Sequence, residues 1–189
     1  MRRLLLLTVV VLLSFCGVAQ NVEGMYSFID YPISTIDIQA KNYSHIDSFV
    51  RKVDTGDEMQ FYYVLKAVSR DSYVSTLSSI LISYKDLEKI NSALKVLLVK
   101  EDNDWKQGIA EIGYIENKYV TENGFGIGYC VDNGRLEWFI ESDYYGAING
   151  WRLEDRIIDN KAFSINNGRI LEESFGKAQE KVKLLLQNE

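Results

Sequence analysis

The stretch 109–141 constrains the fold most. Four runs rich in β-branched and aromatic residues, 109–115, 118–122, 125–131 and 135–141, follow one another closely. Only Glu116-Asn117, Asn123-Gly124 and Asp132-Asn133-Gly134 separate them. Asn, Asp and Gly accept the positive φ that tight hairpins demand, so neighbouring runs are expected to pair antiparallel. In the last run Leu136, Trp138 and Ile140 share one face, and Arg135, Glu137, Phe139 and Glu141 share the other. That alternation predicts a sheet with one buried face and one partly wet face.

The preceding part of the chain reads the same way. Residues 33–39, 43–53, 59–68 and 73–83 are expected strands, with turns at Asp54-Thr55-Gly56-Asp57 and Arg70-Asp71-Ser72. A helix follows. Ser83-Tyr84-Lys85-Asp86 fits a capping box, and Leu87, Ile90, Leu94, Leu97 and Leu98 recur at three- and four-residue steps. Glu101-Asp102-Asn103-Asp104 is expected to end it. Residues 151–159 and 161–165 are expected to add strands. A second helix is predicted from about Arg169 to Gln187, started by Asn167-Gly168, with Leu171, Phe175, Ala178, Val182, Leu185 and Leu186 as its apolar stripe.

The expected class is therefore α+β: an antiparallel β-sheet of roughly seven to nine strands with two amphipathic helices packed on one face. The two helices also superpose in sequence, Leu87 on Leu171 and Leu98 on Val182. This raises a duplicated β-meander–helix unit, although amphipathic helices look alike by chance. With one proline, Pro32, and no Gly/Ser-rich or charged linker, residues 20–189 read as a single domain.

Residues 1–19 read as a secretory signal peptide. Arg2 and Arg3 precede the apolar run 4–13, and Gly17-Val18-Ala19 offers a small-x-small cleavage site. That run is too short to span a bilayer, so no transmembrane helix is expected. Cys16 suggests a lipid anchor, but a lipoprotein box wants a small residue where Phe15 stands, which disfavours it. The expected location is periplasmic, cell-surface or secreted. Cleavage would remove two arginines and no acid, taking the net charge from −6 to −8. An acidic surface repels phosphate backbones, so nucleic acid is not expected as a partner. Cys130 would remain as the one thiol, and its apolar neighbours predict a buried small hydrophobe.

Catalytic chemistry finds little to work with. His45 is the one histidine, and no Gly-x-Ser-x-Gly elbow accompanies it. One His and one thiol do not make a zinc site, so no metal or other cofactor is expected. Glu137 and Glu141 share a strand face, but residues four apart stand about 13 Å apart, too far for a glycosidase pair by themselves. Asp54–Glu58 and Asp102-Asn103-Asp104 are acidic loops without the twelve-residue calcium pattern. Gly124-Phe125-Gly126-Ile127-Gly128 lacks the Lys and Ser/Thr of a phosphate loop and suits a strand better.

One segment looks built for contact: Asp143-Tyr144-Tyr145-Gly146-Ala147-Ile148-Asn149-Gly150-Trp151. Tyr144, Tyr145 and Trp151 offer large apolar rings with polar tips, which suits a protein or glycan ligand; the alternative is that they cap the core. The chain is accordingly expected to be an exported, non-enzymatic binding module. Two rivals are a glycan-directed hydrolase using carboxylates such as Glu137 and Glu141 (with Asp143 nearby) and an inhibitor or immunity-type protein acting through its acidic surface.

Overall fold

The computed structural model describes residues 26–39, 43–70, 78–142, 163–165 and 167–188. The leader with Cys16, the expected strand 151–159 and the contact segment with Tyr144, Tyr145 and Trp151 lie outside the described residues, as do 73–77 of the fourth expected strand and Asp71-Ser72 of the turn before it. The first half is a four-stranded antiparallel meander: β1 (Ser27–Asp37), β2 (Tyr43–Asp54), β3 (Met59–Ser69) and β4 (Ser78–Ser83), paired in that order. Helix α1 (Tyr84–Gln107) and a short 3₁₀ turn (Ile109–Glu111) follow. The second half repeats the plan: β5 (Tyr114–Val120), β6 (Phe125–Asp132), β7 (Arg135–Ser142) and β8 (Phe163–Ile165) pair in order, and α2 (Gly168–Gln187) comes last.

Local chemistry accounts for the joints. Asn133 and Gly134 sit at φ 47° and 74° and turn β6 into β7, as a two-residue hairpin with positive φ at both centres requires. Gly56, at φ 84°, lets β2 fold back into β3, and its N–H is held by Asp54 Oδ1 at 2.8 Å. Ser83 caps α1 by accepting from the Asp86 N–H at 3.1 Å, and Asn167 caps α2 through the Arg169 N–H at 2.9 Å. The two caps stand at the same 84-residue spacing as Asn91 and Phe175, where the helices meet. The repeat is thus one of architecture as well as of sequence pattern.

Both helices lie on one side of the sheets and run antiparallel. Asn91 Nδ2 donates to the Phe175 carbonyl at 3.1 Å and to Gln179 Oε1 at 3.0 Å, while Arg169 lies 3.9 Å from Asp102 near the other end of the pair. Their stripes, Leu87, Ile90, Leu94 and Leu98 with Leu171, Phe175, Ala178 and Val182, join one hydrophobic cluster with residues from both sheets, including Ile46, Val50, Tyr63, Ile127, Tyr129 and Trp138.

Each helix also reaches the other half's sheet. Ser174 of α2 bonds to Tyr63 at 2.7 Å, to Ser48 at 3.2 Å and to Ser34, all on the first sheet. Asp104 of α1 accepts from the Tyr129 hydroxyl of the second sheet at 2.6 Å.

Several boundaries differ from expectation. Strand β1 spans Ser27–Asp37 and runs through Pro32, starting six residues before the expected strand 33–39. Proline is tolerated because β1 is an edge strand, and a bulge at Ile33 follows it. Helix α1 continues past Glu101-Asp102-Asn103-Asp104 to a left-handed cap at Gly108, φ 92°. Residues 109–111, read as strand, form the 3₁₀ turn, and Glu116-Asn117, read as a turn, lie inside β5. Leu186 does not belong to the buried stripe: it is 47% exposed. The strands also form two four-stranded sheets rather than one, joined at a single described bridge, where Gln39 N–H donates to the Ser164 carbonyl at 2.9 Å.

Candidate functional site

Because side chains alternate along a strand, burying Tyr63 and Leu65 of β3 and Ile46, Ser48 and Val50 of β2 beneath the helices turns their neighbours the other way. The helix-free face of the first sheet therefore carries Phe28, Asp30 and Pro32 from β1, Phe49 and Arg51 from β2, Tyr62 and Val64 from β3, and Leu81 from β4. Phe28 is 51% exposed and Leu81 41%, while Val64, in register between Phe49 and Leu81, is buried. Arg51 organises the β1 side of this face. Its Nε and Nη2 donate to the two Asp30 oxygens at 2.7 and 2.8 Å, a fork-on-fork pair that fixes the guanidinium plane. Its Cζ lies 4.2 Å from the Phe28 ring centre and 5.4 Å from that of Phe49, within cation–π range of both. The hydrogen bonds to Asp30 raise the Arg51 pKa further, so the charge is permanent. The result is a preorganised aromatic and cationic platform beside exposed apolar side chains.

The same face has a polar end. The bulge between Tyr43 and His45 brings Ser44 Oγ to 2.9 Å from His45 Nδ1, and His45 Nε2 lies 3.4 Å from Asp47 Oδ1. The residue types are those of a hydrolytic triad, but the Ser44 hydroxyl donates to the Val68 carbonyl at 3.2 Å. That carbonyl competes with His45 for the one hydrogen a nucleophile must give to its base.

The helix-free face of the second sheet holds the carboxylates. Lys118 sits between Glu141 Oε1 at 3.0 Å and Glu116 Oε1 at 3.2 Å. One ammonium thus pairs with two carboxylates at once. Tyr114 donates to Glu116 at 2.6 Å, which pushes its phenol up to about 12. Glu137 shares the face four residues from Glu141 without joining that cluster.

Gly126 and Gly128 allow close approach here: a Cβ on the first would fall 2.5 Å from Glu141 Cγ, and on the second 2.2 Å from the Asn117 carbonyl oxygen. Cys130 is buried on this face, in register between Glu116 and Glu137. The acidic stretches expected as polar turns divide: 54–58 makes the β2–β3 hairpin, while Asp102 and Asp104 ride on α1. Among the described residues no group of three His, Cys, Asp or Glu is placed to hold a metal ion.

Sequence reasoning missed the Arg51 platform, because residues 28, 49 and 51 come together only through the β1–β2 register. No family model matches the chain, and neither curated proteins nor solved structures give a match.

Proposed function

We propose that the chain is an exported, non-catalytic module that binds a protein or glycan partner through the helix-free face of its first sheet. The observation that carries this reading is the Arg51 platform: a permanent cation locked to Asp30, stacked on Phe28 and Phe49, beside exposed apolar surface. Rigid aromatic and arginine groups of this kind supply much of the binding energy at recognition surfaces. The leader sequence at 1–19 supports export, and amino-terminal sequencing of the secreted form is expected to begin at Gln20.

The test is affinity capture from the envelope and medium of the producing cell, comparing the wild type with Phe28→Ala/Arg51→Ala. Phe28 is 51% exposed, the Arg51 side chain 25%, and neither belongs to the hydrophobic cluster, so the double variant is expected to melt within a few degrees of the wild type yet lose its captured molecules. A variant that captures the same set unchanged would refute the reading. Tyr144→Ala with Trp151→Ala, run beside it, reports whether the contact segment shares in binding.

A further inference from the structure

We propose that the outer edge of β1, from Tyr26 to Pro32, accepts an extended polypeptide segment as an added strand, an inference that rests on the binding-module reading above. Strand β1 pairs with β2 on one side only. On its other side the described partner is β8, which makes one bridge at Gln39 and then gives way to α2. The edge is thus already used for antiparallel pairing at one end, and among the described residues nothing pairs with it between Ser27 and Asp37.

Pro32 reveals which groups point outward. Lacking an N–H, it belongs at a position that does not donate to β2, so its backbone faces the open edge. The two-residue alternation then turns the N–H and C=O groups of Phe28 and Asp30 outward too, while Ser27, Ile29 and Tyr31 serve the β2 ladder. An incoming strand would meet two donors, at Phe28 and Asp30, and stop at Pro32.

Side chains on both faces suit an amphipathic extended segment. Phe28 lies on the platform side, and Ile29, 54% exposed, on the helix side, where Lys181 of α2 sits 4.5 Å from the Tyr31 ring centre. Main-chain bonds would give affinity and these side chains would read alternate residues. A peptide fits better than a second copy of the chain. Tyr26, Phe28 and Ile29 are the large exposed apolar side chains here, whereas a stable dimer commits roughly twenty to thirty residues a side.

The probe is a displayed library of random twelve-residue peptides, selected on the full chain. Enriched peptides are expected to alternate apolar residues and to protect the Phe28 and Asp30 amides from hydrogen exchange. Asp30→Pro removes one outward donor and spares the β2 ladder. Asp30→Ala, which loses the carboxylate and its hold on Arg51 but keeps the N–H, is the reference, and Asp30→Pro is expected to bind the peptides roughly tenfold or more weakly than Asp30→Ala does.

Equal weakening by both variants, failure to enrich peptides, or enriched peptides that leave the Phe28 and Asp30 amides exchanging freely would each overturn the proposal. So would protection of those amides that grows with protein concentration in the absence of peptide, which would assign the edge to self-association. The exchange measurement on wild type decides the matter even if Asp30→Pro does not fold. Capture of the same cellular molecules by Asp30→Pro would leave the binding-module reading standing with the edge excluded.

Discussion

Tyr63 is buried under α2 with its hydroxyl on Ser174, and Ser34 and Ser48 close the cluster through the same serine. Burial is the larger influence and pushes its phenol up from 10.0 to about 12, against the lowering effect of the serine hydrogen bonds. The folded group keeps its proton at a pH where the unfolded one has lost it. Its contribution is whole below pH 10 and is lost as pH climbs toward 12, and the full difference is worth on the order of 3 kcal/mol. Urea unfolding across that range is therefore expected to show wild type losing stability more steeply than Tyr63→Phe. Gly168 gives a sharper steric test. A Cβ there would lie 2.2 Å from Trp138 Cε2, in a ring with no exposure. Gly168→Ala is expected to cost roughly 1–3 kcal/mol, a fall of several degrees in thermal melting. At this scale burial was legible: Trp138, Ile140 and Cys130 are inside, as their apolar surroundings implied. The serine cluster was not, because a hydroxyl beside a hydrophobic run gives no sign of a partner up to 140 residues away.

Helices and hairpins were the most readable elements, because capping residues and Asn-Gly turns act through local chemistry. Ser83, Asn167 and Asn133-Gly134 all perform the roles their positions suggested. The Asp86 carboxylate, though, accepts from the Ser83 hydroxyl at 2.9 Å instead of completing the box through the backbone. Errors fell where tertiary context overrode local signals. Four polar residues looked like the end of α1, but Asp104 is kept in the helix while serving Tyr129, and only Gly108 stops it. Glu116-Asn117 looked like a turn, but Asn117 donates to the Tyr129 hydroxyl at 3.0 Å from within β5. Removing a cap tests the elements themselves. Ser83→Ala is expected to cost about 1 kcal/mol, read as a lower urea midpoint with unchanged slope. Asn91→Ala removes the donor to both Phe175 and Gln179 and leaves a buried carbonyl short of a partner. It is expected to cost about 1–3 kcal/mol, more than the cap.

The α+β architecture of the whole molecule followed from counting runs of strands and apolar stripes, but the division into two sheets did not. Where one sheet stops and another begins depends on which edges meet, and a single bridge at Gln39 carries no pattern of its own. The crossing of the helices was equally hidden, since an apolar stripe does not say which sheet it will cover. That crossing predicts cooperative unfolding: tryptophan fluorescence and helical circular dichroism are expected to report the same midpoint. Separate fragments 20–107 and 108–189 are expected to remain unfolded alone, since each would lack a helix its sheet requires. Transitions that separate, or a fragment that folds by itself, would contradict the interlocked packing. Ser174 and its neighbours impose an order on biosynthesis as well. The first four strands leave the ribosome long before α2, so the earliest part of the polypeptide waits longest for its shelter. A chain made in that order keeps the helix-facing side of its first sheet available to chaperones until the last helix has been delivered.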